Sequence, residues 1–215
     1  MKKDTFITAH SGCDGTLQNS WSYISHALDM PFDYIEFDIR RNDDRNLVLA
    51  HDPEAAHSGM LLDEALRMIA PTDKRINFDL KEYFLEEDII ALAVKAGISK
   101  DRMLFTGSVT DPDSYNSRGL GVEAFINPEE LIKGFYDVVS RDSEAKLIDR
   151  AVECGFKVLN VHYLMCDVTF LEMCILKGLR ISAWTVDDGY VFSRLLDCPE
   201  IINITTNHSE FIEQL

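Results

Sequence analysis

Eight short runs rich in β-branched and aromatic residues, separated by segments of helical periodicity, recur along this chain, at residues 5–9, 34–38, 75–81, 103–107, 122–126, 157–162, 180–186 and 201–205. Alternating strand and helix patterns point to parallel strands joined by helical crossovers, and eight strands is the number a (β/α)8 barrel needs to close. The helical segments are 20–30, 63–69, 86–97, 111–118, 143–154, 167–177, 188–196 and 209–214. Several begin at Ser or Asp and end near Gly, as helix caps favour. The expected fold is therefore α/β, a compact (β/α)8 TIM barrel made by residues 1–215 as one domain. A doubly wound sheet is the competing architecture. With 215 residues the chain is short for a barrel, so its loops must be short.

Composition narrows the function. An apolar fraction of 46% supports a substantial core, and 21 basic against 37 acidic residues give a net charge of −16 spread along the chain. That charge argues against nucleic acid and anionic membranes as partners, though a small anion can still bind where a cation reverses the local field. The cysteines, Cys13, Cys154, Cys166, Cys174 and Cys198, are odd in number and lack CxxC spacing, so they read as reduced thiols. The N-terminal residues lead directly into a strand pattern, and no run reaches the ~20 apolar residues of a membrane span. A cytoplasmic protein is expected.

Strand phase brings candidate chemistry together. In YIEFDI, residues Tyr34, Glu36 and Asp38 share one face; in INFDLK, Asn77, Asp79 and Lys81 do. Barrel strands bury their outward face under helices, so the apolar partners should point outward and Glu36, Asp38, Asp79 and Lys81 inward to one space. The three carboxylates suit one divalent cation, Mg2+ or Ca2+. His10 follows the first strand. Folding symmetrically about the turn Asp43-Asp44-Arg45-Asn46 makes a hairpin arm after the second strand and sets His51 roughly opposite Asp38. Both imidazoles can then sit at the carboxyl edge, where barrel active sites form, as an acid and base pair. Lys81 could hold an anionic group or pair with an acid, and Trp184 could pack on a substrate or fill the core. His26, His57, His162 and His208 are unassigned and the structural reading is favoured for all four, although His162 also ends a strand and could line the pocket.

The segments AHSG, LQNSWSYISHAL, YIEFDIRRNDDRNLVLAHDPE, INFDLK, ISAWTVDD and IINITTN resemble, nearly end to end, the glycerophosphodiester phosphodiesterase family of phosphatidylinositol-phospholipase-C-like barrels. The resemblance implies His10 and His51 as catalytic residues, Glu36, Asp38 and Asp79 as metal ligands, Lys81 on the phosphate and Trp184 as the tryptophan of the late strand motif. It implies a small phosphodiester as substrate, cleaved to glycerol 3-phosphate and an alcohol. The chain departs from the pattern in four places. Ser11 replaces an arginine beside the first histidine, Gln18 a glutamate, Asp79 a longer glutamate and Asn207 a closing aspartate. The insert after the second histidine shrinks to about residues 53–62. Two other readings are a non-catalytic barrel that binds a phosphorylated ligand and a lyase that expels a cyclic phosphate.

Overall fold

The computed structural model describes residues 5–213. Its single sheet contains β1 (Phe6–Ala9), β2 (Tyr34–Arg41), β3 (Leu47–Leu49), β4 (Met60–Leu61), β5 (Arg75–Leu80), β6 (Met103–Gly107), β7 (Glu123–Ala124), β8 (Val158–His162), β9 (Arg180–Trp184) and β10 (Ile201–Thr206). Eight strands run parallel in the order β7-β6-β5-β2-β1-β10-β9-β8, while β3 and β4 form an antiparallel arm on β2. The two ends of this order meet at one residue. The Ile126 N–H donates to the Val158 carbonyl at 3.1 Å, and the Asn160 N–H donates to the Ile126 carbonyl at 2.9 Å. Eight parallel strands thus close a (β/α)8 barrel.

The helices are α1 (Trp21–Asp29), α2 (Pro53–Ala56), α3 (Leu62–Ile69), α4 (Glu86–Lys95), α5 (Pro128–Leu131), α6 (Arg141–Glu153), α7 (Val168–Leu176), α8 (Gly189–Leu196) and α9 (Glu210–Glu213). Their starts follow capping chemistry. Ser20, Asp167 and Asp188 accept the backbone N–H of Tyr23, Phe170 and Val191, and Ser140 and Ser143 form a reciprocal capping box. The helix expected over 111–118 is absent. Asp111 is left-handed (φ 48°) and the residues after it, apart from Arg118, are poor helix formers, leaving a single 3-10 turn at Tyr115–Ser117. Arg118 instead bonds the Thr110 carbonyl and Glu86, so side chains satisfy that crossover. Of the expected 209–214 helix, Gln214 lies outside the described residues.

The hairpin also differs from expectation by one residue. Asn42 and Asn46 close a three-residue loop with Arg45 left-handed at φ 63°, so Ile39 pairs with Leu49 and Asp38 lies opposite Ala50, whose N–H donates to it at 2.9 Å. Three-residue hairpin loops with a left-handed last residue form a bulge, which a symmetric fold about a four-residue turn cannot anticipate.

Alternation sorts the barrel walls. Ile35, Phe37, Ile39, Ile76, Phe78 and Leu80 are fully buried in the layer under the helices. The interior changes character along its axis. At the strands' amino ends Phe6, Tyr34, Leu104, Phe125, Val158 and Ile202 cluster, with the Arg75 guanidinium 4.6 Å over the Phe6 ring. Above them lies a layer of hydrogen-bonded polar side chains: Thr8 donates to Asn203, Asn203 to Ser182, Thr106 to Asn77 and Asn160 to Asn127. Ionisable groups crown this layer at the carboxyl ends.

Candidate active site

Parallel pairing of β2 and β5 puts Glu36 beside Asn77 and Asp38 beside Asp79. Oxygens from Glu36, Asp38 and Asp79 lie within 4.8 Å of one another. Ligands bound to one Mg2+ or Ca2+ at about 2.0–2.6 Å are separated by no more than about 5 Å, so this donor set fits a hard dication. Asp79 has a second anchor in Thr106, which donates to its Oδ1 at 3.2 Å. Close packing here requires glycine at 107. Its φ is +75°, and a Cβ would fall 2.3 Å from Asp79 Oδ1.

Asn19, which the sequence reading did not single out, belongs to this cluster. It is buried and left-handed at φ 52°; its Nδ2 donates to Asp38 Oδ2 at 2.7 Å and its Oδ1 accepts the Asp38 N–H at 3.2 Å. Ser11 is buried too and turned into the loop. Its N–H donates to Glu36 Oε2 at 2.8 Å, and its Oγ accepts the Asn19 N–H at 2.9 Å. A serine there ties the β1–α1 loop to both carboxylates. It supplies no charge.

Lys81 Nζ lies 2.9 Å from Asp38 Oδ1 and 2.6 Å from Asp79 Oδ2. Of the two alternatives raised for this lysine, the pairing with acids is formed, and the residue also lines the cavity. Burial pulls its pKa down, but Asp79 and Asp38 outweigh that and hold it above the usual lysine range. Burial, reinforced by the Asp38 carboxylate, pushes Glu36 up to about 8. Three clustered carboxylates with one ammonium leave excess negative charge, a state that a bound cation relieves.

His10 Nδ1 is 2.9 Å from Asn207 Oδ1, and Asn207 Nδ2 donates to Asp187 Oδ2 at 2.8 Å. With its amide donor committed to Asp187, Asn207 presents an acceptor, which places the His10 proton on Nδ1 and leaves Nε2 uncommitted. Burial lowers the His10 pKa, but Glu36, the Asn207 bond, Asp38 and Asp187 together raise it above 6.5. His51 is exposed, with Nδ1 2.8 Å from Asp52 Oδ1, so its Nε2 is likewise uncommitted. The Arg40 Nε–H donates to the His51 carbonyl at 2.8 Å and steadies its backbone.

A cavity of about 270 Å³ joins these groups; its lining includes His10, His51, Glu36, Asp79, Lys81 and Trp184. Asp38 lies directly behind, through its contact with Lys81. Trp184 contributes the one buried side-chain donor that lacks a partner among the described residues, its indole Nε1. His162 packs edge-on against that indole at 5.5 Å. The remaining histidines form exposed or partly exposed pairs, His26 with Asp14, His57 with Asp43 and His208 with Glu210. Among the described residues no helix is long and apolar enough to cross a membrane.

No family model and no curated protein matches the sequence. Solved structures do match the fold. An Agrobacterium tumefaciens protein provisionally assigned as a glycerophosphoryl diester phosphodiesterase aligns over 98% of this chain and 96% of its own, with a TM-score of 0.80 at 14% identity. A glycerophosphodiester phosphodiesterase from Parabacteroides distasonis aligns over 100% and 97%, with a TM-score of 0.72 at 21% identity. An Oleispira antarctica phosphodiesterase, solved with the product sn-glycerol-3-phosphate, aligns over 97% and 95%, with a TM-score of 0.73 at 16% identity. Along essentially its whole length, the chain has the fold of the glycerophosphodiester phosphodiesterases.

Proposed function

We propose that this protein is a metal-dependent phosphodiesterase that hydrolyses glycerophosphodiesters to glycerol 3-phosphate and an alcohol. The observation that carries the reading is the convergence of Glu36, Asp38 and Asp79 with His10 and Lys81 at the carboxyl end of the barrel. Structural neighbours named for this activity support it.

Glu36, Asp38 and Asp79 would hold one Mg2+ or Ca2+ ion. Such an ion supplies charge neutralisation to phosphate oxygens as negative charge builds in the transition state. Lys81 adds a point charge on the same side, taking over in part for the arginine absent at Ser11. The unpartnered Trp184 N–H offers a donor to a substrate oxygen, which would relieve a buried polar group costing about 1–3 kcal/mol. His10 and His51 both present Nε2. One accepts a proton from the attacking water as the new P–O bond forms, and the other gives its own proton to the alkoxide as the P–O bond to the alcohol breaks, so that one water is consumed. Asn207 and Asp52 fix the two ring tautomers through Nδ1.

The test is incubation with glycerophosphocholine and Mg2+, Ca2+ or EDTA, with products followed by phosphorus NMR. Cation-dependent release of choline and glycerol 3-phosphate supports hydrolysis. A cyclic glycerophosphate as end product assigns a lyase, and absence of turnover despite cation binding assigns a phospho-ligand sensor.

A further inference from the structure

A second set of metal-ligating side chains lies between β1 and α1 and shares no residue with the carboxylate cluster. The Cys13 thiol, an Asp14 carboxylate oxygen and a His26 ring nitrogen lie within 4.8 Å of one another. No CxxC spacing announces the group, because its third donor arrives on α1, 12 residues beyond Asp14. Around a tetrahedral Zn2+ with bonds of about 2.0–2.3 Å, donors sit roughly 3.3–3.8 Å apart, so side-chain adjustments of about 1 Å complete the set. Asp14 is already steadied. Its Oδ1 accepts the Ser209 N–H at 3.0 Å, while Oδ2 lies 2.7 Å from His26 Nε2. That ion pair accounts for two of the three residues and leaves the thiol out. Cys154 and Cys198 donate their S–H groups to Asp113 and to the Arg194 carbonyl; among the described residues the buried Cys13 has no such bond. Burial, reinforced by the Asp14 carboxylate, pushes the free Cys13 thiol up to about 12, so it is a poor nucleophile and a reactive-cysteine role is disfavoured.

We propose that Cys13, Asp14 and His26 bind a borderline divalent transition ion of the Zn2+ class, with water as the fourth ligand. The thiol releases its proton to solvent as the sulfur–metal bond forms. Thiolate with imidazole selects such an ion, whereas the three oxygen donors of Glu36, Asp38 and Asp79 suit Mg2+ or Ca2+, so the two sites sort their metals by ligand chemistry. The ion has a way in, because the His26 and Asp14 side chains are 29% and 17% exposed. Its consequence is local. The same loop carries His10, Ser11 and Asn19; the Cys13 N–H donates to the His10 carbonyl at 2.9 Å and the Asp14 N–H to the Asn207 carbonyl at 2.8 Å. A metal joining this turn to α1 would clamp the backbone that holds those residues. The site does not depend on the phosphodiesterase reading.

The probe is Co2+, titrated into the reduced full chain with Mg2+ in excess. Stoichiometric growth of a thiolate-to-cobalt charge-transfer band in the near ultraviolet, with the intense visible bands of a tetrahedral ion, is expected, and Zn2+ should bleach both. Cobalt held by carboxylates alone gives neither. Cys13→Ser should abolish the charge-transfer band, and His26→Gln should weaken Co2+ binding at least about tenfold. His26 is partly exposed, so that variant stays folded even where replacement of the buried thiol does not. Cys154→Ser and Cys198→Ser should leave the spectrum unchanged. Absence of the charge-transfer band in the wild type, a band that is lost with Cys154 or Cys198 instead of Cys13, or an affinity in His26→Gln within about threefold of wild type overturns the site.

Discussion

Glu36→Gln separates a cluster of carboxylates built for a cation from one that is merely buried. In the cation-free protein, burial and the neighbouring Asp38 carboxylate raise Glu36 from an ordinary 4.5 to about 8. A carboxyl whose pKa is higher folded than unfolded costs stability wherever the unfolded chain has ionised and the folded one still holds its proton. This group's contribution is therefore most favourable below about pH 4.5, declines from there to about pH 8, and is level above. At about 1.4 kcal/mol per tenfold, the ceiling is about 5 kcal/mol, and relaxation around a coupled cluster brings the measurable effect to ~1–3 kcal/mol. Glutamine keeps an oxygen for the Ser11 N–H, so the packing survives. Urea unfolding in EDTA should show the wild type losing stability from pH 5 to 8, while Glu36→Gln is flatter and more stable than wild type at pH 8. Adding Mg2+ or Ca2+ at a hundred times its Kd should then stabilise the wild type by about 2.7 kcal/mol and the variant by far less. Parallel pH profiles for the two proteins, or equal stabilisation of both by the cation, would refute the reasoning.

Three further outcomes follow from the same geometry. His10→Ala and His51→Ala should each cost about two or more orders of magnitude in kcat on glycerophosphocholine; a loss below about threefold removes that residue from the mechanism. Asn19→Gly keeps the left-handed backbone and deletes the amide that clamps Asp38, so cation affinity by titration calorimetry should fall about 10- to 100-fold, and unchanged affinity would leave Asn19 a loop residue only. Gly107→Ala forces a Cβ against Asp79 and a positive φ on alanine, and should lower stability by about 1–3 kcal/mol in thermal melts while weakening cation binding.

The strand alternation carried most of the architecture, because a period of two is enough to say which side chains face inward, and parallel neighbours then bring Asp38 level with Asp79. What alternation cannot supply is loop conformation. Asn19 reads as one more polar residue ahead of the Ser20 cap; only its left-handed backbone turns its amide onto Asp38. The hairpin slipped by one position for a related reason, since Arg45 takes the left-handed bulge that a run of four polar residues does not announce. The segment over 111–118 opens with a cap-like Asp but is poor in helix formers apart from Arg118, and the left-handed Asp111 with the bonds from Arg118 decides its shape.

The aromatic floor at the amino ends, with Phe6 and Tyr34 at 5.5 Å beneath the Arg75 guanidinium, stoppers the barrel from below. Traffic is therefore confined to a single doorway. A diesterase working there would release both fragments along the route by which the next molecule arrives, so accumulated fragments would compete with incoming material.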